Sequence, residues 1–216
     1  MRKEIIEKTM KALRANGFLT EYFERKDEVR PYLEKVMEKG SSCSVGGSVT
    51  LSECGVLELL RNGSYTFYDR YAEGVDVEEV FHKSFSVDNY LASANAITEN
   101  GELVLIDGRG NRVAAVIYGP RHVYLVASTD KIVGNIKEAF ERCKSVACPM
   151  NAKRLNKDTH CAKNGKCIVS AFSEDDFFNA GVRGCKNTIC SDSVIMSRQT
   201  ARDRITVILV DESCGY

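Results

Sequence analysis

The sequence predicts an α/β protein in which a mostly parallel sheet is flanked by helices. Short apolar runs alternate with amphipathic segments along the first half of the chain, a pattern typical of parallel strands joined by helical crossovers. A Gly-Gly turn between an apolar run and a capped segment has the form of a strand-to-helix connection. The 216 residues are enough for one such domain and too few for two domains with a linker. We therefore expect a single domain over residues 1–216.

Two helices are expected at the N-terminus, over 2–16 and roughly 27–39, and together they form a helical section over 1–40. Apolar residues recur there at helical spacing, and Gly17 and Gly40 follow as stop signals. The next expected elements are, in chain order, a strand near 42–45, a helix over 50–61, a strand over 65–68 and a helix over 76–83.

The middle of the chain favours closely spaced strands, because turn sequences such as Asn100-Gly101 and Gly110-Asn111 separate short apolar runs there. The expected strands lie over 91–98, 103–107, 114–118 and 123–127, although 92–96 could equally be helical. A helix over 130–143 begun by Asp130, and two final strands over 193–196 and 205–210, complete the predicted sheet.

The charge balance argues against nucleic acid and membrane surfaces as partners. Basic and acidic residues number 30 each, which leaves no net field to attract a polyanion. The first residues alternate charges along an amphipathic helix and lack the apolar core of a signal peptide. No segment is apolar for the roughly eighteen residues that a membrane span requires. These observations predict a cytoplasmic protein with no membrane partner.

Nine cysteines are many for a chain of this kind, and six of them lie between Cys143 and Cys190. In a reducing compartment such a cluster points to metal ligation or redox chemistry more than to structural disulfides. The segment 147–190 has no sustained periodicity, so we expect a cysteine-rich insertion ahead of the last strands. Cys43 and Cys54, which flank the glycine turn, are expected to be small apolar fillers.

Two pairs of cysteines have a ligand-like arrangement, Cys161 with Cys167 and Cys185 with Cys190. Four thiolates in two pairs would suit zinc or an iron-sulfur cluster, with Cys148 or His160 as substitutes for a missing ligand. Their spacings are wider than the two-residue gaps of common metal motifs, so reduced, unliganded thiols are the alternative.

The stretch from 45 to 60 contains the most informative local pattern, a strand end followed by Gly46, Gly47 and a helix that Ser48 or Thr50 can cap. Such a turn directs unpaired backbone N–H groups and the positive end of the helix dipole towards an anion. We expect Gly46, Gly47, Ser48 and Thr50 to bind a small carboxylate or phosphate. A purely structural turn would use the same residue types. Glu53 completes a Thr-x-x-Glu capping box or acts as a general base.

Four ordered blocks extend across most of the chain: Val-Gly-Gly-Ser-Val-Thr-Leu-Ser-Glu-Cys-Gly over 45–55, Ala-Asn-Ala-Ile-Thr-Glu-Asn-Gly-Glu-Leu-Val over 94–104, Asn-Arg at 111–112 with Tyr-Gly-Pro-Arg-His-Val over 118–123, and Asn-Ala-Lys-Arg-Leu over 151–155. In this order they resemble the lactate-utilisation (LUD) domain family and its lactate utilisation protein C-like members. Compared with the tighter cysteine run of clostridial-type members, Ser170 stands where a cysteine is expected, and residues 171–184 look inserted.

The resemblance implies the fold shared by ribose-5-phosphate isomerases, glucosamine-6-phosphate deaminases and CoA transferases, in which a glycine turn after the first strand receives a phosphate or acyl ligand. It also implies a component of L-lactate oxidation to pyruvate that acts beside iron-sulfur partner subunits. Related folds commonly pair, so a homo-oligomer is one of the oligomeric states that the resemblance leaves open. Fold kinship alone supplies no chemistry, so the reaction has to be argued from the site.

Candidate catalytic residues besides Glu53 are Glu99 and His122. Thr98-Glu99-Asn100-Gly101 is similar to the Ser-Glu-Asn-Gly motif of one CoA-transferase class, whose glutamate attacks an acyl-CoA thioester. Arg121 and His122 lie beside a Gly-Pro turn just before an apolar strand, where Arg121 could bind an anion and His122 could act as an acid or base. Arg109 and Arg112 are further arginines in turns of this region.

These observations favour a component of 2-hydroxy-acid oxidation that binds a small carboxylate at the glycine turn. One alternative is a CoA-ester or sugar-phosphate enzyme that uses Glu53, Glu99 or His122. Another is a non-enzymatic ligand sensor or assembly partner whose cysteine segment docks a second subunit.

Overall fold

The architecture is described by a computed structural model over residues 2–168, 185 and 187–216. The helices in this part of the chain are α1 Arg2–Ala15, α2 Val29–Val36, α3 Val49–Glu53, α4 Val56–Leu60, α5 Val77–Lys83, α6 Asn111–Ile117, α7 Ile136–Arg142, α8 Cys148–Arg154 and α9 His160–Asn164. The strands are β1 Leu19–Phe23, β2 Ser42–Val45, β3 Thr66–Tyr68, β4 Asn89–Ala92, β5 Ala96–Thr98, β6 Leu103–Asp107, β7 His122–Ser128, β8 Ile132–Val133, β9 Asp192–Met196 and β10 Ile205–Val210. Short 3₁₀ turns cover Lys26–Glu28 and Thr129–Lys131, and a π turn over Cys143–Ala147 joins α7 to α8.

The main sheet has six strands in the order β1-β10-β7-β4-β2-β3, and every neighbouring pair is parallel. A second sheet of four strands has the order β8-β5-β6-β9, with antiparallel pairing on both sides of β6. The predicted class, an α/β protein with a mostly parallel sheet flanked by helices, is confirmed.

The main sheet is covered on both faces, as its central strands show. In β7, Val123, Leu125 and Ala127 belong to one apolar cluster, whereas Tyr124 and Val126 belong to another. All side chains of β10 are buried, so this strand is apolar on both of its faces. A continuous apolar run is what a buried parallel strand requires. Each fully buried aliphatic side chain stabilises the fold by roughly 1.5–3 kcal/mol relative to exposure.

The segment 114–118 was expected to be a strand, and this prediction is wrong: α6 occupies it. Gly110 begins the helix with a φ of 73°, and the carboxylate of Asp107 accepts from the backbone N–H groups of Arg112 and Val113. These contacts satisfy the first amides of a helix. The cap that Asp107 provides therefore favours a helix in a short segment whose Val and Ile residues favour a strand.

The helix expected over 130–143 begins later. Ser128 caps a 3₁₀ turn, Ile132–Val133 pairs with β5, and Asn135 rather than Asp130 caps α7. The helix expected over 50–61 is divided into α3 and α4 by Gly55, whose φ is 69°. Strand β1 was not predicted; it lies at an edge of the main sheet and pairs with β10. Helices α8 and α9 lie in the segment where no periodicity was detected.

No helix in the described ranges is both long enough and apolar enough to cross a membrane. Ser170 and residues 171–184, at which the chain departs from the family pattern it resembles, lie outside the described residues.

Candidate functional site

A cavity of about 360 Å³ lies at the carboxyl edge of the main sheet. Its walls come from residues that follow β2, β3, β4 and β7, together with the end of β6, the start of α6, the end of α8 and Tyr216. Open parallel sheets bind ligands at this edge, because the loops that leave the strands converge there. The cavity is therefore the candidate site.

The glycine turn forms one wall of this cavity. The N–H of Gly46 is used within the protein, since it donates to Leu91 O at 2.9 Å. Ser48 caps α3 by accepting from Leu51 N at 3.3 Å. Among the described residues, no acceptor takes the N–H groups of Gly47, Ser48 or Val49. These three amides remain available to a ligand.

The two glycines have different surroundings, and neither has a positive φ. A Cβ on Gly46 would lie 3.2 Å from the side chain of Arg112 and 3.2 Å from Tyr90 Oη. A Cβ on Gly47 would lie 3.7 Å from an Nη atom of both Arg70 and Arg154. Gly46 therefore permits close internal packing, whereas Gly47 borders a space in which two guanidinium groups converge.

Six cationic side chains line the cavity: Arg70, Arg109, Arg112, Lys131, Arg154 and Lys157. Two of them have acidic partners, because Arg112 pairs with Asp107 and Arg109 lies 2.5 Å from Glu78. The other four have no carboxylate partner within the described part of the chain. This local excess of positive charge occurs in a chain whose formal net charge is zero, and it favours an anionic ligand.

Arg112 has a structural role. Its Nε donates to Asp107 Oδ1 at 3.0 Å, and its two Nη atoms donate to Ser93 O, Asn95 Oδ1 and Ile106 O at 2.7–2.8 Å. The side chains of Arg112 and Asp107 are only 12% and 13% exposed. The guanidinium therefore ties the loop after β4 to the end of β6 and has little capacity left for a ligand.

Lys131 is the buried cation of the site, with 2% of its surface exposed. Its Nζ donates to Thr50 Oγ1 and to Ser93 Oγ, both at 3.0 Å. Burial lowers the pKa of the Lys131 amine to about 8, and the neighbouring Arg142 and Arg112 act in the same direction. An amine with neutral hydroxyl partners and this pKa is protonated at neutral pH and can lose its proton within the range of ordinary enzyme chemistry.

Sequence reasoning missed Lys131, because the predicted helix over 130–143 made it one of many helical lysines. A usable signal was present: Lys131 comes three residues after a buried parallel strand, and such positions meet at the carboxyl edge.

Arg154 lies at the end of α8, inside the Asn-Ala-Lys-Arg-Leu block. Its Nη2 donates to Asn151 Oδ1 at 2.7 Å, and its Nε donates to Tyr216 Oη at 2.8 Å. Both partners are neutral, so they orient the guanidinium without cancelling its charge. Arg70 packs over the ring of Phe81, with 4.6 Å from its Cζ to the ring centroid.

Of the residues predicted to bind a ligand, Gly47, Ser48 and Thr50 line the cavity, and Gly46 lies directly behind them. The capping box expected between Thr50 and Glu53 is not formed, because Ser48 is the cap. The Thr50 hydroxyl is instead 3.4 Å from Cys214 O and accepts from Lys131. The exposed Glu53 accepts from Gly215 N at 2.9 Å and does not line the cavity.

Glu99, His122 and Arg121 also lie outside the cavity lining. Glu99 follows β5 in the second sheet and pairs with Lys8 at 2.8 Å. His122 is exposed at the first residue of β7, and therefore at the amino edge of the main sheet. Arg121 precedes it, with its side chain 81% exposed and its Nε 3.8 Å from Asp88. The structure does not bring these three residues together with the glycine turn.

The cysteines predicted to bind metal surround a separate cavity of about 20 Å³. Its lining includes Cys161, Cys167, Cys185 and Cys190, and also Cys148 and His160. The Cys148 thiol donates to Cys190, which lowers the pKa of Cys190 to about 7. Yet in the described residues no three His, Cys, Asp or Glu side chains are placed to hold a metal ion. The donor set therefore does not fit a preformed cluster, and we derive no step through one.

Metal binding by these cysteines stays a prediction, which metal analysis of anaerobically purified protein would test. Cys43 and Cys54 are buried within an apolar cluster, as expected of small fillers.

The fold and the cavity define an α/β protein whose parallel sheet carries a cation-lined site at its carboxyl edge. The LUD domain family model matches residues 6–210, so the chain belongs to the LUD domain family. A crystal structure of a DUF162 family protein from Deinococcus radiodurans is similar over 97% of this chain and 98% of that one, with 13% identity and a TM-score of 0.55.

Two other solved structures align with about half of the chain. eIF2B beta from Chaetomium thermophilum has 13% identity and a TM-score of 0.37, with 51% of this chain and 43% of that chain covered. Ribose 5-phosphate isomerase from Plasmodium falciparum has 16% identity and a TM-score of 0.34, with 51% and 52% covered. No curated protein has a significant match to this chain.

Proposed function

We propose that this lactate-utilisation-type protein binds a small carboxylate in the cation-lined cavity and acts as a component of 2-hydroxy-acid oxidation, with L-lactate as the model substrate. The supporting observation is the convergence of Arg70 and Arg154 on Gly47, where neither guanidinium has a carboxylate partner among the described residues. Like charges repel, so a bound anion would offset the cost of holding these guanidinium groups together.

The chemistry of the wall suits a 2-hydroxy acid. A carboxylate between Arg70 and Arg154 would accept charge-assisted hydrogen bonds and would border the free amides of Gly47, Ser48 and Val49. Lys131, flanked by Thr50 and Ser93, would then provide a polar partner for the oxygen on the adjacent carbon. Neither Glu53, Glu99 nor His122 has a part in this proposal, because none lines the cavity. Electrons removed from the substrate would pass to an acceptor on partner subunits, for which an iron-sulfur protein is the class we propose.

Binding is tested by isothermal titration with L-lactate, pyruvate and inorganic phosphate. We expect the carboxylates to bind wild-type protein and the Arg154→Met variant to bind them at least about tenfold more weakly, since a hydrogen bond to a charged group contributes about 1.5–3 kcal/mol. Arg198→Met, which removes an exposed arginine outside the cavity lining, is the matched control and should bind like wild type. Equal affinity in Arg154→Met and wild type, or failure of both L-lactate and pyruvate to bind, would overturn the proposal.

The role in oxidation is tested by anaerobic turnover of L-lactate with an artificial dye acceptor, with and without added iron-sulfur partner subunits. We expect reduction of the dye that depends on L-lactate and is lost in the Arg154→Met variant. Binding without any turnover, in either format, would leave the ligand site standing and overturn the oxidative role.

A further inference from the structure

We propose that the Lys131 amine is a nucleophile that forms a reversible imine with a 2-oxo acid held in the cation-lined cavity. The inference rests on the proposed function and deepens it, because 2-oxo acids are the product class of 2-hydroxy-acid oxidation. It assigns covalent chemistry to one side chain and a carbonyl group to the ligand.

The position of Lys131 meets the first requirement, which is an amine that is buried but faces the ligand. Lys131 lines the cavity although only 2% of its surface is exposed. Two hydrogen-bond positions of its Nζ are occupied by Thr50 Oγ1 and Ser93 Oγ. A lysine nitrogen has three such positions, and no described residue occupies the third. One direction of the nitrogen is therefore open to a ligand.

The surroundings of Lys131 meet the second requirement, which is a neutral amine at moderate pH. Its hydroxyl partners carry no charge, and no described carboxylate pairs with it. Burial is the largest influence and lowers the pKa of the Lys131 amine; the charges of Arg142 and Arg112 act in the same direction, and Cys214 and Cys54 act in the opposite one. Desolvation and a neighbouring cation both lower the pKa of a lysine amine, and nucleophilic lysines are activated in this way.

The reaction balances within the site. The neutral Nζ of Lys131 attacks the carbonyl carbon, a C–N bond forms, and the C=O π pair moves to oxygen. Both protons that convert this oxygen to water come from the attacking nitrogen, and the hydroxyl of Thr50 or Ser93, each 3.0 Å from Nζ, relays them. Water leaves and a C=N bond remains. No oxidant or reductant is consumed, and the reverse steps return the 2-oxo acid and the free lysine.

The neighbouring cations explain why a 2-oxo acid is favoured over a simple ketone. Arg70 and Arg154 lie in the same cavity and would hold the carboxylate, which places the adjacent carbonyl carbon towards the interior. Holding a reactant beside a nucleophile converts a bimolecular step into an intramolecular one. Acetone, which has a similar size but no carboxylate, should therefore react poorly.

The experiment traps the imine in wild-type protein. Protein is incubated with pyruvate and cyanoborohydride at pH 8, and the reduced adduct is located by peptide mass mapping. We expect Lys131 to be labelled at least about tenfold more than any exposed lysine, because an amine of ordinary pKa is almost fully protonated at that pH. Label at Lys131 should be suppressed by an excess of L-lactate, and acetone should give little of it.

Variants supply the controls. Lys131→Met should lose the internal label, whereas Lys137→Met, which removes an exposed lysine of α7, should be labelled like wild type. Thr50→Ala, which keeps the amine but removes one hydroxyl partner, should be labelled more slowly. The wild-type map alone decides the question if Lys131→Met does not fold.

Two outcomes separate this inference from the proposed function. Pyruvate and L-lactate that bind by calorimetry, with label spread evenly over exposed lysines or absent, would overturn the imine and leave the anion site in place. Failure of both acids to bind, together with no label at Lys131, would overturn both.

Discussion

The Nζ of Lys131 lies 3.0 Å from Thr50 Oγ1, and this contact joins the end of the central strand β7 to the helix that follows the glycine turn. The two residues are 81 positions apart in sequence. Ser93, from the loop after β4, completes the arrangement at the same distance from Nζ. The segments that follow β2, β4 and β7 therefore meet at one buried amine at the carboxyl edge of the sheet, so the fold itself forms the polar floor of the cavity.

Arg70 and Arg154 should each contribute to anion affinity, because the guanidinium groups of both converge on the space beside Gly47. We expect Arg70→Met to weaken L-lactate binding about tenfold, within the 1.5–3 kcal/mol range of a charge-assisted hydrogen bond. The double variant Arg70→Met/Arg154→Met should bind L-lactate more weakly than either single variant, with a loss in binding free energy that departs from the sum of the two single losses, because groups that share one ligand are coupled. Calorimetry on the four proteins of this cycle measures it; a double variant no weaker than either single one would contradict a shared carboxylate clamp.

Gly46 and Gly47 should respond differently to the same added methyl group. A Cβ at Gly46 meets Arg112 and Tyr90 at 3.2 Å, closer than ordinary contacts allow, so Gly46→Ala should lower the free energy of unfolding by about 1–3 kcal/mol. A Cβ at Gly47 meets its nearest atoms at 3.6–3.7 Å, so Gly47→Ala should leave stability within about 0.5 kcal/mol of wild type.

L-lactate affinity should instead be affected at Gly47, where stability is not. In Gly47→Ala the methyl group occupies space between the turn and the guanidinium groups of Arg70 and Arg154, so L-lactate affinity should fall while the melting temperature does not. Urea denaturation and calorimetry on both variants provide the measurement. Equal stability of the two variants would show that Gly46 does not permit the close approach described above.

Much of the fold could be predicted from the sequence, because a buried parallel strand is a continuous apolar run. β6, β7 and β10 were located for this reason, and β2 was located by the glycine turn that ends it. α6 was missed because its identity depends on the carboxylate of Asp107, which caps it from the preceding strand. Seven residues are too few to show a clear helical periodicity, and the apolar run of Val, Ala and Ile therefore favoured a strand.

The candidate site was predictable only where its signal is local. The pattern of Gly47, Ser48 and Thr50 predicts a turn and a helix cap within four residues, and these residues line the cavity. Arg70 and Arg154 are brought to Gly47 by tertiary packing, which no local pattern encodes. Arg121 precedes β7 and His122 is its first residue, so both lie at the amino edge of the sheet. Counting which residues follow the parallel strands would have favoured Lys131.

Arg112 should be more important for stability than for ligand contact. Arg112→Met leaves the carboxylate of Asp107 without its cationic partner and removes the donors for Ser93 O, Asn95 Oδ1 and Ile106 O. Removing one member of a largely buried ion pair costs about 3–5 kcal/mol. Thermal and urea unfolding should show this loss, with Arg109→Met, whose ion pair with Glu78 is exposed, as the control within about 1 kcal/mol of wild type. A stable Arg112→Met protein that has lost only ligand affinity would contradict the structural role.

The affinity for L-lactate should decrease as the pH rises above about 8. The pKa of Lys131 is lowered in the folded protein to about 8 from its ordinary value of 10.5. An anion favours the ammonium form, so below pH 8 the charge is already present and affinity is constant. Above pH 8 the ligand has to bind together with a proton, and affinity should fall by up to about tenfold per pH unit. L-lactate suits this measurement because its carboxylate stays ionised throughout and it has no carbonyl group to form an imine.

Stability should change in the opposite direction over the same interval. Between pH 8 and 10.5 the unfolded chain keeps a proton on Lys131 that the folded protein has released. The free energy of unfolding contributed by this residue therefore rises with pH in that window. Comparing wild type with Lys131→Met at each pH isolates the effect from other titrating groups. Parallel pH profiles for the two proteins, in affinity and in stability, would show that Lys131 keeps an ordinary pKa and does not contact the anion.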